Sequence, residues 1–184
     1  MNLTERFLGW SLFLDRDGVI NEKLEGDYVK NWDEFTFKMG SLEAIRDFSK
    51  IFSRIFIVTN QRGVGLGVMT EKSLNEIHEK MLSEMTKQSG KIDKVYYCTN
   101  VDHHAECRKP NVGMGLKAKQ DFPEIEFSKS IMVGDSISDM EFGKKLGMKT
   151  VYISDSDCAF PNSQYSLVDL NFASLYEFAE ECKC

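Results

Sequence analysis

Apolar residues cluster in five short, near-continuous runs along the chain, at Ser11–Leu14, Ile55–Val58, Val95–Cys98, Ile131–Val133 and Thr150–Ile153. Runs of this length, without a clean polar alternation, read as strands covered on both faces, as in a parallel sheet. Between them the apolar positions change to helical spacing. Leu42, Ile45 and Phe48 mark a helix over Ser41–Lys50, and Leu74, Ile77, Met81 and Met85 mark one over Glu71–Lys87, with Thr70 as its N-cap. Shorter patterns follow at Met114–Gln120 and at Ser138–Leu146, the latter closed by Gly147, and Phe172–Glu181 reads as a last helix. His78 sits among Glu76, Glu79 and Lys80 and is read as a surface residue. Strand alternating with helix predicts an α/β fold, a doubly wound parallel sheet in a three-layer α/β/α sandwich with right-handed crossovers. One domain over residues 1–184 is expected.

Gly18–Lys38, between the first strand and the first helix, is long for such a connection and carries Tyr28, Trp32, Phe35 and Phe37. A loop of that kind lies over the strand ends, where α/β sheets bind ligands. The string Gly63-Val64-Gly65-Leu66-Gly67 lacks the dinucleotide-binding spacing and follows the second strand rather than the first, so it reads as a substrate- or phosphate-contacting loop.

Composition narrows the function. A formal net charge of -6 lacks the basic face that nucleic acid requires, so no nucleic-acid partner is expected. The apolar stretch Phe7–Leu14 is broken by Gly9 and is too short to span a bilayer. The expectation is a soluble, cytoplasmic monomer without a membrane partner. Five cysteines form no regular framework, which favours reduced thiols or a metal site over disulfides, and Cys182-Lys183-Cys184 reads as a frayed tail.

Four polar clusters fall in order along the chain, three of them directly after a predicted strand: Asp15-Arg16-Asp17-Gly18, Thr59-Asn60-Gln61, Arg108-Lys109-Pro110 and Gly134-Asp135-Ser136-Ile137-Ser138-Asp139. Singly they are unremarkable, since Asp15 and Asp17 make an ordinary solvated turn, Asp135 an N-cap and Lys109 a surface charge. Solvated turns do not predict that such clusters recur at the same end of successive strands. Carboxylates converging from separate strands make the oxygen-rich site that Mg2+ prefers, and the cation screens a phosphate dianion from an attacking carboxylate. In that reading Asp15 is the nucleophile and Asp17 the proton carrier. Thr59 and Asn60 donate to phosphoryl oxygens, and Lys109 offsets the charge that develops on them. Arg16, Arg62 and Arg108 are further sources of local positive field. Asp139 orients the metal's ligands rather than binding the metal.

These residues resemble the haloacid dehalogenase-like phosphatases. Phe13–Asn21, Tyr28-Val29, Thr59–Gly65, Tyr96–Cys98 and Cys107–Met114 are similar to the branch of heptose bisphosphate and histidinol phosphatases. The likeness spans about residues 11 to 155. It implies a capless Rossmann-like domain with an aspartyl-phosphate intermediate on Asp15 and acid/base work by Asp17. It places magnesium on Asp15, the Asp17 backbone carbonyl and Asp135, and phosphate or substrate at Thr59, Asn60, Gln61, Arg62, Arg108 and Lys109. The implied substrate is a small phosphorylated metabolite, a sugar bisphosphate such as D-glycero-D-manno-heptose 1,7-bisphosphate, with histidinol phosphate or another sugar phosphate as the alternative. A receiver-like or degenerate phosphate-binding module is the reading outside catalysis. The intact acidic set and the position of the acceptor aspartate argue against it.

The chain departs from that branch before Arg108. The resemblance implies a structural zinc held by a Cys-x-His and a Cys-x-Cys pair, but Asn100 and Ala105 replace one ligand each. His103 and His104 can stand in, leaving Cys98, His103, His104 and Cys107 as a candidate Zn2+ set. Against it stands a polar His-His loop beside two buried cysteines.

Overall fold

The structure, a computed structural model, describes residues 7–154 and 166–183. Six strands form one parallel sheet: β1 (Ser11–Leu14), β2 (Arg54–Asn60), β3 (Lys94–Cys98), β4 (Ser130–Gly134), β5 (Lys149–Ile153) and β6 (Leu170–Phe172). Their spatial order is β3-β2-β1-β4-β5-β6. All neighbouring pairs are parallel, with Leu12 beside Ile55 and Ile131, and Phe13 beside Phe56 and Met132. The described helices are α1 (Ser41–Ile51), α2 (Arg62–Gly65), α3 (Glu71–Lys87), α4 (Gly113–Asp121), α5 (Ile137–Leu146) and α6 (Leu175–Lys183).

The period of two along each strand sorts its side chains onto two cores. Leu12, Leu14, Ile55, Ile57, Ile131 and Val133 meet the apolar faces of α1, α3 and α6, through Ile45, Phe48, Ile77, Met81 and Phe178. Phe13, Phe56, Val58 and Met132 face the other way, onto Met114, Ala118 and Phe142 of α4 and α5. Both faces are thus covered, which is why the strands read as unbroken apolar runs. Thr70 caps α3 by accepting from the Ser73 amide, and Gly147 closes α5 in the left-handed conformation.

The fold departs from the sequence reading at the C-terminal segment, at the cysteines and at His78. The segment before α6 adds a sixth strand at Leu170–Phe172, too short and too polar at Asn171 to stand out. Cys182 is on the buried face of α6 rather than frayed, while Cys184 and Cys158 lie outside the described residues. Cys98 and Cys107 are joined as a disulfide with Cα atoms 5.5 Å apart, so these two sulfurs are not the free thiolates that a zinc site with His103 and His104 needs. Finally, His78 is buried, because it continues the stripe of Leu74, Ile77, Met81 and Met85 on α3. Among the described residues no helix is long and apolar enough to cross a membrane.

Candidate active site

The chain runs outward from β1 to β3 on one side, then returns to the other side of β1 with β4. That reversal opens a crevice beyond the carboxyl ends of β1, β2 and β4. Asp15 follows β1, Thr59 and Asn60 end β2, and Asp135 follows β4. All line one cavity of about 320 Å³, together with Asp17, Lys23, Tyr28, Gln61, Arg62, Arg108, Lys109 and Ser136. The long segment after β1 contributes the outer wall through Lys23, Leu24, Asp27, Tyr28 and Val29. It is pinned to the core by Trp32 stacked on Phe35, and by Phe37 edge-on to both.

The floor is an interlocked set of charges. Lys109 is almost fully buried and places Nζ 3.0 Å from Asp15 Oδ1, 2.6 Å from Asp139 Oδ1 and 2.7 Å from the Val58 carbonyl oxygen. Burial opposes its charge, but Asp139 and Asp15 outweigh burial and raise its pKa. Asp15 titrates at about 6, raised first by burial and then by the charge of Asp139. Burial and the Asp15 charge likewise raise Asp135. Asp139 Oδ2 accepts from the Ser136 amide and hydroxyl at the start of α5, so both its oxygens are engaged within the protein. The backbone of Lys109 is fixed from the opposite side by the Asn60 carboxamide, which donates to the Lys109 carbonyl and accepts from the Lys109 amide. Asn60 therefore spends its side chain holding the lysine loop. Thr59 Oγ1 accepts from Gln61 Nε2 and keeps its own proton for a ligand.

Asp17 is held from three directions. Arg16 forks onto it, with Nη2 at 2.8 and 3.0 Å from its two oxygens, while Asn21 Nδ2 and Gln61 Nε2 donate at 2.9 and 2.8 Å. Burial works against ionisation here, yet Arg16 and these hydrogen bonds prevail and lower the Asp17 pKa. Arg16 is thus a buried partner of Asp17 rather than a free cation facing a substrate.

Gly18 explains why the first cluster ends in glycine. Its φ is +85°, and a Cβ would stand 2.2 Å from Asp135 Oδ2, so only glycine lets the loop pass under that carboxylate. At the mouth, a Cβ on Gly65 would stand 2.1 Å from the Thr99 carbonyl oxygen, so the glycine string lets the β2 and β3 loops close on each other.

The donor chemistry fits magnesium. Oxygens of Asp15, Asp135 and Asp139 lie within 4.8 Å of one another. Asp135 Oδ1 is buried with no hydrogen-bond partner, and Asp135 Oδ2 accepts from Lys23 Nζ at 2.7 Å. An all-oxygen set with an orphaned, inward carboxylate oxygen suits a hard divalent cation. Two guanidiniums lie further out. Arg108 donates only to the Asn100 carbonyl, and among the described residues neither it nor Arg62 forms an ion pair. Burial and the neighbouring Arg62 charge lower the Arg108 pKa.

The family model for haloacid dehalogenase-like hydrolases matches residues 15–153, from the first aspartate of this site to the end of β5. The chain belongs to the haloacid dehalogenase-like hydrolases. It is 40% identical over 147 residues to the D-glycero-alpha-D-manno-heptose-1,7-bisphosphate 7-phosphatase of Campylobacter jejuni, covering 80% of this chain and 83% of that one. The protein of the same name in Mycobacterium bovis is 36% identical over 174 residues, 92% and 90% of the two chains. Among solved structures, the D,D-heptose 1,7-bisphosphate phosphatase of B. bronchiseptica, complexed with magnesium and phosphate, superposes with a TM-score of 0.80 at 26% identity, covering 94% and 97%. This hydrolase is a phosphatase.

Sequence reasoning named the acidic set and Lys109. It missed His78, whose spacing on α3 carried the signal, and it missed Lys23, which no local motif marks.

Proposed function

We propose that this phosphatase removes one phosphate from a heptose bisphosphate, with Asp15 as nucleophile, Asp17 as proton carrier and magnesium held by Asp15, Asp135 and the Asp17 backbone carbonyl. The single observation that carries the reading is Lys109 Nζ, buried 3.0 Å from Asp15 Oδ1 beside the acidic crevice. That contact aligns a carboxylate for attack while keeping a fixed positive charge where phosphoryl oxygens gather.

In the first half-reaction an Asp15 oxygen bonds to phosphorus as the bond to the sugar oxygen breaks. Asp17, protonated, gives its proton to that leaving oxygen. In the second, Asp17 as carboxylate takes a proton from water while the water oxygen attacks phosphorus, releasing phosphate and restoring Asp15. The Arg16 fork holds Asp17 in this second form. A substrate dianion beside Asp17 opposes the Arg16 charge and favours the protonated form that the first half-reaction uses. When bound, magnesium screens the phosphoryl oxygens from the incoming carboxylate.

A bisphosphate accounts for Arg62 and Arg108. Two half-buried guanidiniums without acidic partners suit a second phosphate at the cavity mouth, which a monophosphate such as histidinol phosphate leaves unsatisfied. Purified protein with magnesium should hydrolyse the alpha anomer of D-glycero-D-manno-heptose 1,7-bisphosphate with a higher kcat/KM than any monophosphate in a panel. Asp15→Asn should abolish turnover while remaining folded. Full activity in that variant, or a preference for a monophosphate, sinks the reading.

A further inference from the structure

We propose that His78 is a positioning residue for proton transfer, acting through Arg16 on Asp17. The inference rests on Asp17 carrying the proton. His78 lies on α3, outside every motif of the site, and its Nε2 stands 3.2 Å from Arg16 Nη1 with both groups buried. Arg16 divides its donors: Nη1 reaches His78, while Nε and Nη2 reach Asp17 at 3.3 and 2.8 Å.

The imidazole is the neutral partner in that contact. Burial, and then the Arg16 charge, lower its pKa to about 3, so its Nε2 accepts and Arg16 donates. A buried guanidinium needs acceptors on both edges. With His78 on one edge and Asp17 on the other, Arg16 cannot swing without leaving donors unsatisfied. The direction of the fork on Asp17 is therefore set from α3. Tyr97, with its ring 5.5 Å from the imidazole, backs His78 from β3. Asn21 and Gln61 hold the carboxylate from its other sides, and among the described residues neither side chain hydrogen-bonds the Arg16 guanidinium. His78 is thus the described contact that fixes the outer edge of this guanidinium.

A packing role and a positioning role make different kinetic demands. The ratio kcat/KM reports steps up to departure of the leaving group. An alkyl alcohol leaves only with a proton from Asp17, whereas p-nitrophenolate leaves without one. The experiment compares magnesium-loaded wild type, His78→Leu, His78→Gln and Arg16→Lys on an alkyl phosphate and on p-nitrophenyl phosphate. His78→Leu keeps the apolar volume and removes the acceptor. It should lower kcat/KM for the alkyl phosphate about ten-fold or more and change that for p-nitrophenyl phosphate by less than about two-fold. His78→Gln, which restores an acceptor oxygen, should recover most of the loss. Arg16→Lys keeps a charge on Asp17 but cannot span both partners, and should repeat the selective loss even where the leucine variant does not fold. Equal losses on both substrates, or no rescue by glutamine, overturn the proposal. Asp17→Asn is the companion control: if it leaves alkyl phosphate hydrolysis intact, the role given to Asp17 fails. If it abolishes hydrolysis while His78→Leu and Arg16→Lys do not, only the His78 inference fails.

Discussion

The floor and the mouth of the cavity use the same residue types in opposite ways. On the floor every cation is matched: Lys109 with Asp15 and Asp139, and Arg16 with Asp17 and His78. At the mouth, Arg62 and Arg108 sit near enough to feel each other's charge, and among the described residues neither forms an ion pair. The floor hangs from strand ends, the first turn of α5 and the loop that carries Lys109; the mouth is formed by Arg62 at the start of α2 and Arg108 in that same loop. Buried charges left unpaired are costly, so the floor must be self-consistent before any substrate arrives. The mouth, half open to water, can keep positive charge in reserve for a ligand, although the chain as a whole is acidic.

The sharpest way to break this contrast is Lys109→Met. It leaves Asp15 and Asp139 facing each other in a buried site and should destabilise the fold by about 3–5 kcal/mol, read by urea denaturation at neutral pH, with turnover lost as well. A milder effect on stability would mean that the floor is not an interlocked set.

A pH series probes the same floor without removing its cation. Asp15 is raised from 3.8 to about 6 in the fold, so its contribution is fully favourable below about pH 4 and is lost as pH rises through about 6. Against Asp15→Asn, metal-free wild type should therefore lose relative stability over that window. Asp17 is shifted the other way, so its contribution is lost as pH falls rather than as it rises. A difference that stays flat from pH 4 to 7 removes the repulsion argued for the floor.

At the mouth the effect belongs to binding. Arg108→Ala or Arg62→Ala should lower kcat/KM for a bisphosphate by about 10- to 100-fold, the worth of a charge-assisted hydrogen bond, and leave p-nitrophenyl phosphate nearly unchanged. Melting temperature should hardly move, since neither residue has an ionic partner to lose. Equal losses on both substrates would make these arginines part of the floor. The smallest effect is expected for Lys23, which is 54% exposed at its contact with Asp135. Lys23→Met should change stability by less than about 1 kcal/mol in a thermal melt. A larger drop would move that edge of the crevice from mouth to floor.

Periodicity and spacing made the floor largely legible. Five strands were visible because burial on both faces leaves no polar alternation, and the polar clusters marked their ends. Asp15, Asp135 and Lys109 were expected together because the proposed chemistry needs all three, and the fold brings them into one cavity. Asn60 was expected to donate to phosphoryl oxygens, but its carboxamide holds the Lys109 backbone, a contact 49 residues away in sequence that no local pattern encodes. Arg16 looked like a free cation because a sequence shows charge and not burial. Cys98 and Cys107 were expected as reduced thiols or metal ligands rather than a disulfide, because a sequence carries no mark of how thiols pair; the fold brings their Cα atoms to 5.5 Å and joins them.

The sequence by itself determined five of the six strands, the order of the clusters and the class of chemistry, because each depends on local period or on residue type at a strand end. Only the tertiary structure decided which charges face each other. The contact of α3 with the loop after β1 turns His78 inward against Arg16, and the return of β4 beside β1 sets Asp135 over Gly18. Those pairings depend on how distant segments pack, and packing is settled by the whole core rather than by any one stretch of it.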